Sequence, residues 1–185
     1  MEYDTGLEHK FARFGDGIQV DDNAVIQGYA SVFGEADQGG DIVQKGAYAA
    51  SIKALESKGA RVKMLWQHDP AQPIGVWDEV REDTRGLWVK GRLLESTQKG
   101  REAAALIGAG AIDGLSIGYR TTKASKTDKG QRLLSELELW EVSLVTFPML
   151  PSARVAAKGA HAEFDDAWRS IAAVLNDARQ ELARR

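Results

Sequence analysis

Three side chains in this sequence have the types needed for acyl transfer, and they occur in the order His68, Ser116, Glu141. Ser116 lies in Gly114-Leu-Ser116-Ile-Gly118, a G-x-S-x-G pattern. In an α/β-hydrolase that pattern is a nucleophile elbow, where a strand turns sharply into a helix and the serine is followed by an acid and then a histidine. Neither condition is met. A helical stretch and a glycine-rich turn precede the motif, a strand-like run follows it, and the downstream histidine is His161, near the end of the chain. If 115–122 is a strand, Leu115, Ile117 and Tyr119 share one face and Ser116 and Gly118 the other. A hydroxyl beside a glycine leaves room for a substrate backbone. Spacing alone leaves Ser116 open between that role and a surface serine on a half-exposed strand.

His68 ends an apolar strand-like run, Met64-Leu65-Trp66, at Asp69-Pro70. A turn containing proline can hold an imidazole in place, and imidazole takes and returns a serine proton near neutral pH. The competing reading is a turn histidine bonded to its own Asp69. The other histidines, His9 and His161, fall in an N-terminal arm expected to be poorly anchored and in a C-terminal tail. Glu141 falls, by simple alternation, on the apolar face with Leu137, Leu139 and Val145. A carboxylate there is costly to bury unless it is paired, and a histidine N–H is a fitting partner. A β-bulge that turns Glu141 to solvent is the alternative.

Other chemistries find little support. There is no cysteine, so disulfides, thiolate nucleophiles and cysteine-ligated metals are excluded. The histidines are scattered, and no metal or cofactor is expected. No glycine motif opens a helix as a phosphate or dinucleotide loop does. With 24 Lys+Arg against 27 Asp+Glu, the net charge of −3 gives no basic footprint for nucleic acid or an anionic membrane. No apolar run approaches a membrane span, and the start of the chain lacks the apolar core of a secretory signal. These features lead us to expect a protein made and used inside a cell.

The elements that must position these residues are readable in outline. The sequence predicts strands over 25–33, 61–67, 74–80, 87–94, 115–122 and 133–147, the last being one long strand or two. Helices are predicted over 47–58 and 98–107, the second capped by Ser96 or Thr97. Residues 160–185 read as an amphipathic helix with Phe164, Trp168, Ile171, Leu175 and Leu182 on one side. At 185 residues, with 43% hydrophobic and 28% charged, the chain suits one globular domain and a short appendage. Consecutive strands favour a mainly β, α+β fold: a small antiparallel barrel or sandwich.

Six segments in order resemble the prohead proteases of tailed phages, serine peptidases akin to the herpesvirus assemblins. They are Gly28-Tyr-Ala-Ser-Val-Phe33, Gly46-Ala-Tyr48, Leu65-Trp-Gln-His68-Asp-Pro70, Pro73-Ile-Gly75, Gly114-Leu-Ser-Ile-Gly-Tyr119 and Glu141-Val-Ser-Leu-Val-Thr-Phe-Pro148. The resemblance covers about 27–155. It implies a small β-barrel wrapped by helices, with a protease domain over 1–158 and a helical tail over 159–185. It carries His68 over as base and Ser116 as nucleophile. In assemblins the third member is a histidine, and Glu141 stands at the corresponding distance here, so the orienting role is assigned to Glu141. An oxyanion hole is required but not placed, with Arg154 and the backbone near Arg120 as candidates. The implied function is cleavage of the scaffold, or of the scaffold-like part of the major capsid protein, inside the immature capsid in the host cytoplasm, with self-cleavage and self-association as further features. Related gene transfer agents use the same enzyme. The alternative is a non-catalytic capsid-assembly or scaffold-binding protein that keeps the fold.

Overall fold

The computed structural model describes residues 8–12, 19–20, 24–37, 39–128 and 130–146. The predicted tail helix over 159–185, with His161 and Arg154, lies outside the described residues.

The described residues form nine strands and two helices. The strands are β1 (Glu8–Ala12), β2 (Gln19–Val20), β3 (Val25–Val32), β4 (Asp41–Val43), β5 (Lys63–Trp66), β6 (Asp69–Glu82), β7 (Gly86–Leu93), β8 (Gly114–Lys126) and β9 (Arg132–Val145). The helices are α1 (Ala49–Ser57) and α2 (Gln98–Gly108). All strands join one sheet in the order β1-β8-β9-β5-β6-β7-β3-β2, with β4 also on β9. The sheet curls until β8 and β1 come back against β3, giving a half-barrel. The expected antiparallel barrel is therefore corrected in one respect: β9 takes both β4 and β5 as parallel neighbours. The two lie one after the other along the same edge of β9, with α1 between them in the chain.

The inside of the curl is the core. Ile26, Val89, Ile74, Met64, Leu115, Ile117, Val142 and Leu144 are all buried there, each worth about 1.5–3 kcal/mol of burial for a large aliphatic side chain. Trp77 adds a directed contact, its indole N–H donating to the Val142 carbonyl at 3.2 Å. Helix α2 begins where the cap was expected: Thr97 Oγ1 accepts from the Gly100 N–H at 3.0 Å.

Strand β9 organises the site, and its edge facing away from β8 is covered in sequence. The β4 strand pairs with Arg132–Leu134, then Leu137 N–H donates to the Ala47 carbonyl at 2.9 Å. Next, Leu139 N–H donates to Ser51 Oγ of α1 at 2.9 Å, and β5 takes over at Glu141. The α1 serine thus satisfies a backbone donor where the ladder changes partner, as a buried N–H requires.

Candidate active site

Strands β8 and β9 are antiparallel, with Leu115 opposite Leu144, Ser116 opposite Ser143, Ile117 opposite Val142 and Gly118 opposite Glu141. Side chains directly opposite one another share a face. Leu115, Ile117, Val142 and Leu144 therefore point into the core, while Ser116, Gly118, Glu141 and Ser143 share the other face. The apolar face of Leu115, Ile117 and Tyr119 is as expected, but the serine face is not half-exposed: Ser116 has no exposed surface.

Simple alternation misplaces Glu141. Between Gly118 and Tyr119 the register slips, so that Leu139 and Glu141 oppose neighbouring residues of β8 and Trp140 is the extra one. Such a bulge reverses the side-chain phase beyond it. Leu139 stays in the core with Tyr119, and Glu141 moves to the serine face. The bulge considered as an alternative is present, yet it delivers the carboxylate to a histidine rather than to solvent, and Glu141 is only 3% exposed.

The histidine arrives on a two-residue turn. Strands β5 and β6 form a hairpin in which Trp66 pairs with Asp69, leaving Gln67 and His68 as its tip. Both are left-handed, with φ of 52° and 62°, the geometry of a type I′ turn. The expected Asp69-Pro70 turn is thus corrected: those residues already belong to β6. A left-handed residue other than glycine costs on the order of 1–3 kcal/mol and persists where its surroundings over-determine it. Here β9 supplies them. Gln67 N–H donates to the Leu144 carbonyl at 3.0 Å. Its side-chain amide donates to Thr146 Oγ1 at 2.6 Å, and His68 N–H donates to Ser143 Oγ at 3.2 Å.

With the turn seated, His68 Nδ1 lies 2.6 Å from Glu141 Oε1. Asp69, the rival partner, is engaged elsewhere: its carboxylate accepts from Gln72 Nε2 at 2.5 Å and from Ala71 N–H at 2.8 Å. The Gln72 bond, helped by that N–H, holds the Asp69 carboxyl below its ordinary range. The other Glu141 oxygen accepts the Ser143 hydroxyl. Gly118 makes this packing possible, because a Cβ there would stand 2.1 Å from Glu141 Oε1.

The structure brings His68, Glu141 and Ser116 to one face of one sheet. One participant, Ser143, was missed in the sequence, and Gly118, placed on the right face, was given another role: the space beside it holds Glu141 rather than a substrate backbone. The signal for Ser143 was the spacing Glu141-x-Ser143, which becomes informative only once the register is known. The Arg120 side chain, next to the backbone taken as an oxyanion candidate, lies over the exposed Trp140 ring, 5.5 Å from its centroid, and reaches Glu138 at 3.4 Å. It belongs to the outer surface beyond the bulge. His9 is not in a loose arm but in β1, opposite Gly118. Among the described residues no group of His, Asp and Glu could hold a metal ion, and no helix is long and apolar enough to cross a membrane.

A histidine bonded through Nδ1 to a buried glutamate, on the face of a sheet that also carries a strand serine, has the composition of a serine hydrolase site. The chain belongs to the Caudovirus prohead serine protease family, which matches residues 16–166. It is 34% identical over 146 residues to the prohead protease of Enterobacteria phage HK97, covering 77% of this chain and 62% of that protein. It is 32% identical over 115 residues to the capsid polyprotein of Pseudomonas phage PAJU2, covering 56% of this chain and 17% of that one. The chain thus spans less than two thirds of the length of either relative. The bacteriophage T4 capsid assembly protease shares the fold, with a TM-score of 0.60 at 19% identity over 77% of this chain and 98% of that chain.

Proposed function

We propose that this chain is a serine endopeptidase of capsid maturation, with Ser116 as nucleophile, His68 as base and Glu141 as the group that orients it. The observation that carries the reading is the 2.6 Å contact between His68 Nδ1 and the buried Glu141 carboxylate, on the sheet face that bears Ser116. A carboxylate at Nδ1 fixes the tautomer that leaves Nε2 free of its proton, the state a general base needs, and stabilises the imidazolium that forms. Ser116 Oγ attacks the scissile carbonyl while His68 Nε2 takes its proton. The proton then passes to the leaving amine, and water, activated by the same imidazole, hydrolyses the acyl-enzyme.

Family membership and the capsid polyprotein among the relatives support a substrate in the scaffold, or in the scaffold-like part of the major capsid protein, cut inside the immature capsid in the host cell. Self-cleavage and self-association belong to the same proposal. A second reading, a non-catalytic capsid-assembly protein with this fold, draws on one observation: Ser116 is fully buried, whereas a nucleophile must be reached by its substrate.

Co-expression with the major capsid protein precursor decides between them. Ser116→Ala is expected to abolish a processing step that the wild type performs. Unchanged processing in that variant removes the serine reading, and no processing by the wild type favours the assembly reading.

A further inference from the structure

We infer that Ser143 is a positioning residue of this site, a hydroxyl that ties the acid and the histidine backbone into one rigid unit; the inference rests on the peptidase reading above. Three observations converge on it. First, Ser143 is completely buried, where a hydroxyl is retained only if its hydrogen bonds repay desolvation. Second, its single oxygen serves both partners at once. It donates to Glu141 Oε2 and accepts the His68 main-chain N–H at 3.2 Å. Third, the residue receiving that bond is left-handed, with φ of 62°, and so needs outside support to hold its ring in one place.

The geometry explains why a serine suits this position. Glu141 and Ser143 lie two apart on β9, on the same face, so the hydroxyl meets the far oxygen of the carboxylate while His68 takes the near one. Strand β5 runs parallel beside them, pairing Lys63 with Glu141 and Leu65 with Ser143. The hairpin tip that follows is therefore delivered above Ser143. A carboxylate held by one bond can rotate away from the imidazole, whereas one held at both oxygens cannot. Ser143 touches neither substrate nor the reacting atoms in this scheme. It acts through Glu141 and His68, and its loss should appear in the chemical step rather than in binding.

The test compares Ser143→Ala, and Ser143→Cys as a variant of similar shape with a weak donor, in cleavage of purified capsid precursor. Each is expected to lower kcat roughly 10- to 100-fold, the value of a hydrogen bond to a charged group, with KM within about twofold. Placed in a Glu141→Gln background, Ser143→Ala should cost less than about threefold, because residues that act as one unit are non-additive. The same factor in both backgrounds, or a change confined to KM, overturns the inference. A proton NMR measurement on the resting protein needs no turnover. The His68 Nδ1–H resonance should shift and exchange faster in Ser143→Ala, and an unchanged resonance is equally fatal. If the wild type itself cleaves nothing, the peptidase reading fails while the resonance still judges the positioning role.

Discussion

At the scale of single residues, the Glu141 carboxylate is the most constrained group in the site, and two substitutions probe it from opposite sides. Glu141→Gln keeps the shape but removes the charge that favours imidazolium, and is expected to slow capsid-precursor cleavage by ~10⁴-fold if it behaves as a triad acid does. A wild-type rate would mean that another group orients His68. Gly118→Ala leaves Glu141 in the chain but places a methyl where Oε1 now sits, 2.1 Å from the added carbon. The obstacle is a side chain rather than backbone, so the fold should survive while the carboxylate is pushed off the imidazole. Cleavage is expected to fall about 10²-fold, as a misplacement near 1 Å can cost, with little change in Tm. A parallel collapse of Tm and activity would instead make Gly118 a packing glycine. Both effects turn on the bulge at Trp140, and here sequence reading reached its limit. Residue types and order pointed to Ser116, His68 and Glu141. Alternation put Glu141 on the wrong face, because a bulge leaves no mark in the pattern and depends on the Leu139 amide finding Ser51 across the chain.

At the scale of elements, β5, β7 and the second half of β6 were legible because each carries its own alternation, whereas the Gln67-His68 turn between β5 and β6 was not. The short β4 and β1 were not, since their pairing depends on partners roughly 90–110 residues away in sequence. What lets the sheet curl is close backbone approach at particular glycines. A Cβ on Gly91 would stand 2.3 Å from the Val76 carbonyl oxygen and 2.7 Å from the Trp77 ring. Gly108, near the end of α2, faces nothing within 4 Å. The two positions make a matched pair. Gly91→Ala is expected to destabilise by about 3 kcal/mol through overpacking, lowering Tm by roughly 6–12 °C. Gly108→Ala, with open space and a helical backbone, should be neutral or stabilising by up to about 1 kcal/mol. Thermal unfolding of both variants checks the claim, and equal losses would show that close approach at Gly91 is not what shapes the curl.

At the scale of the whole molecule, the sheet is finished by the N-terminal strand, which the sequence suggested was a loose arm. Strand β1 covers the outer edge of β8, with Phe11 opposite Ser116, and Glu8 fastens its far end. The Glu8 carboxylate accepts from the Thr121 N–H at 3.2 Å and from its hydroxyl, and bonds Arg132 at 2.8 Å. Arg132 also reaches Asp41 at 3.5 Å, so the clasp joins four strands, β1, β4, β8 and β9. Partial burial works against ionisation of Glu8, but the Thr121 and Arg132 bonds outweigh it and hold its carboxyl below the ordinary value of 4.5. A group whose pKa is depressed on folding stabilises the folded state above its unfolded pKa, and that contribution is lost as pH falls through the folded value. The clasp should therefore hold β1 at neutral pH and release it below about pH 4.5. Because Glu8 and Arg132 are each more than a third exposed, solvent screening keeps the effect small, within the ~0–1 kcal/mol of surface pairs. Amide hydrogen exchange at Phe11 and Ala12 is the sensitive readout, since local opening is measured there without global unfolding. Wild-type protein is expected to protect these amides better than Glu8→Gln at pH 7, with the difference closing as the pH drops below 4.5. A difference that does not shrink as the pH falls below 4.5 would mean that β1 is held by something other than the ionised Glu8.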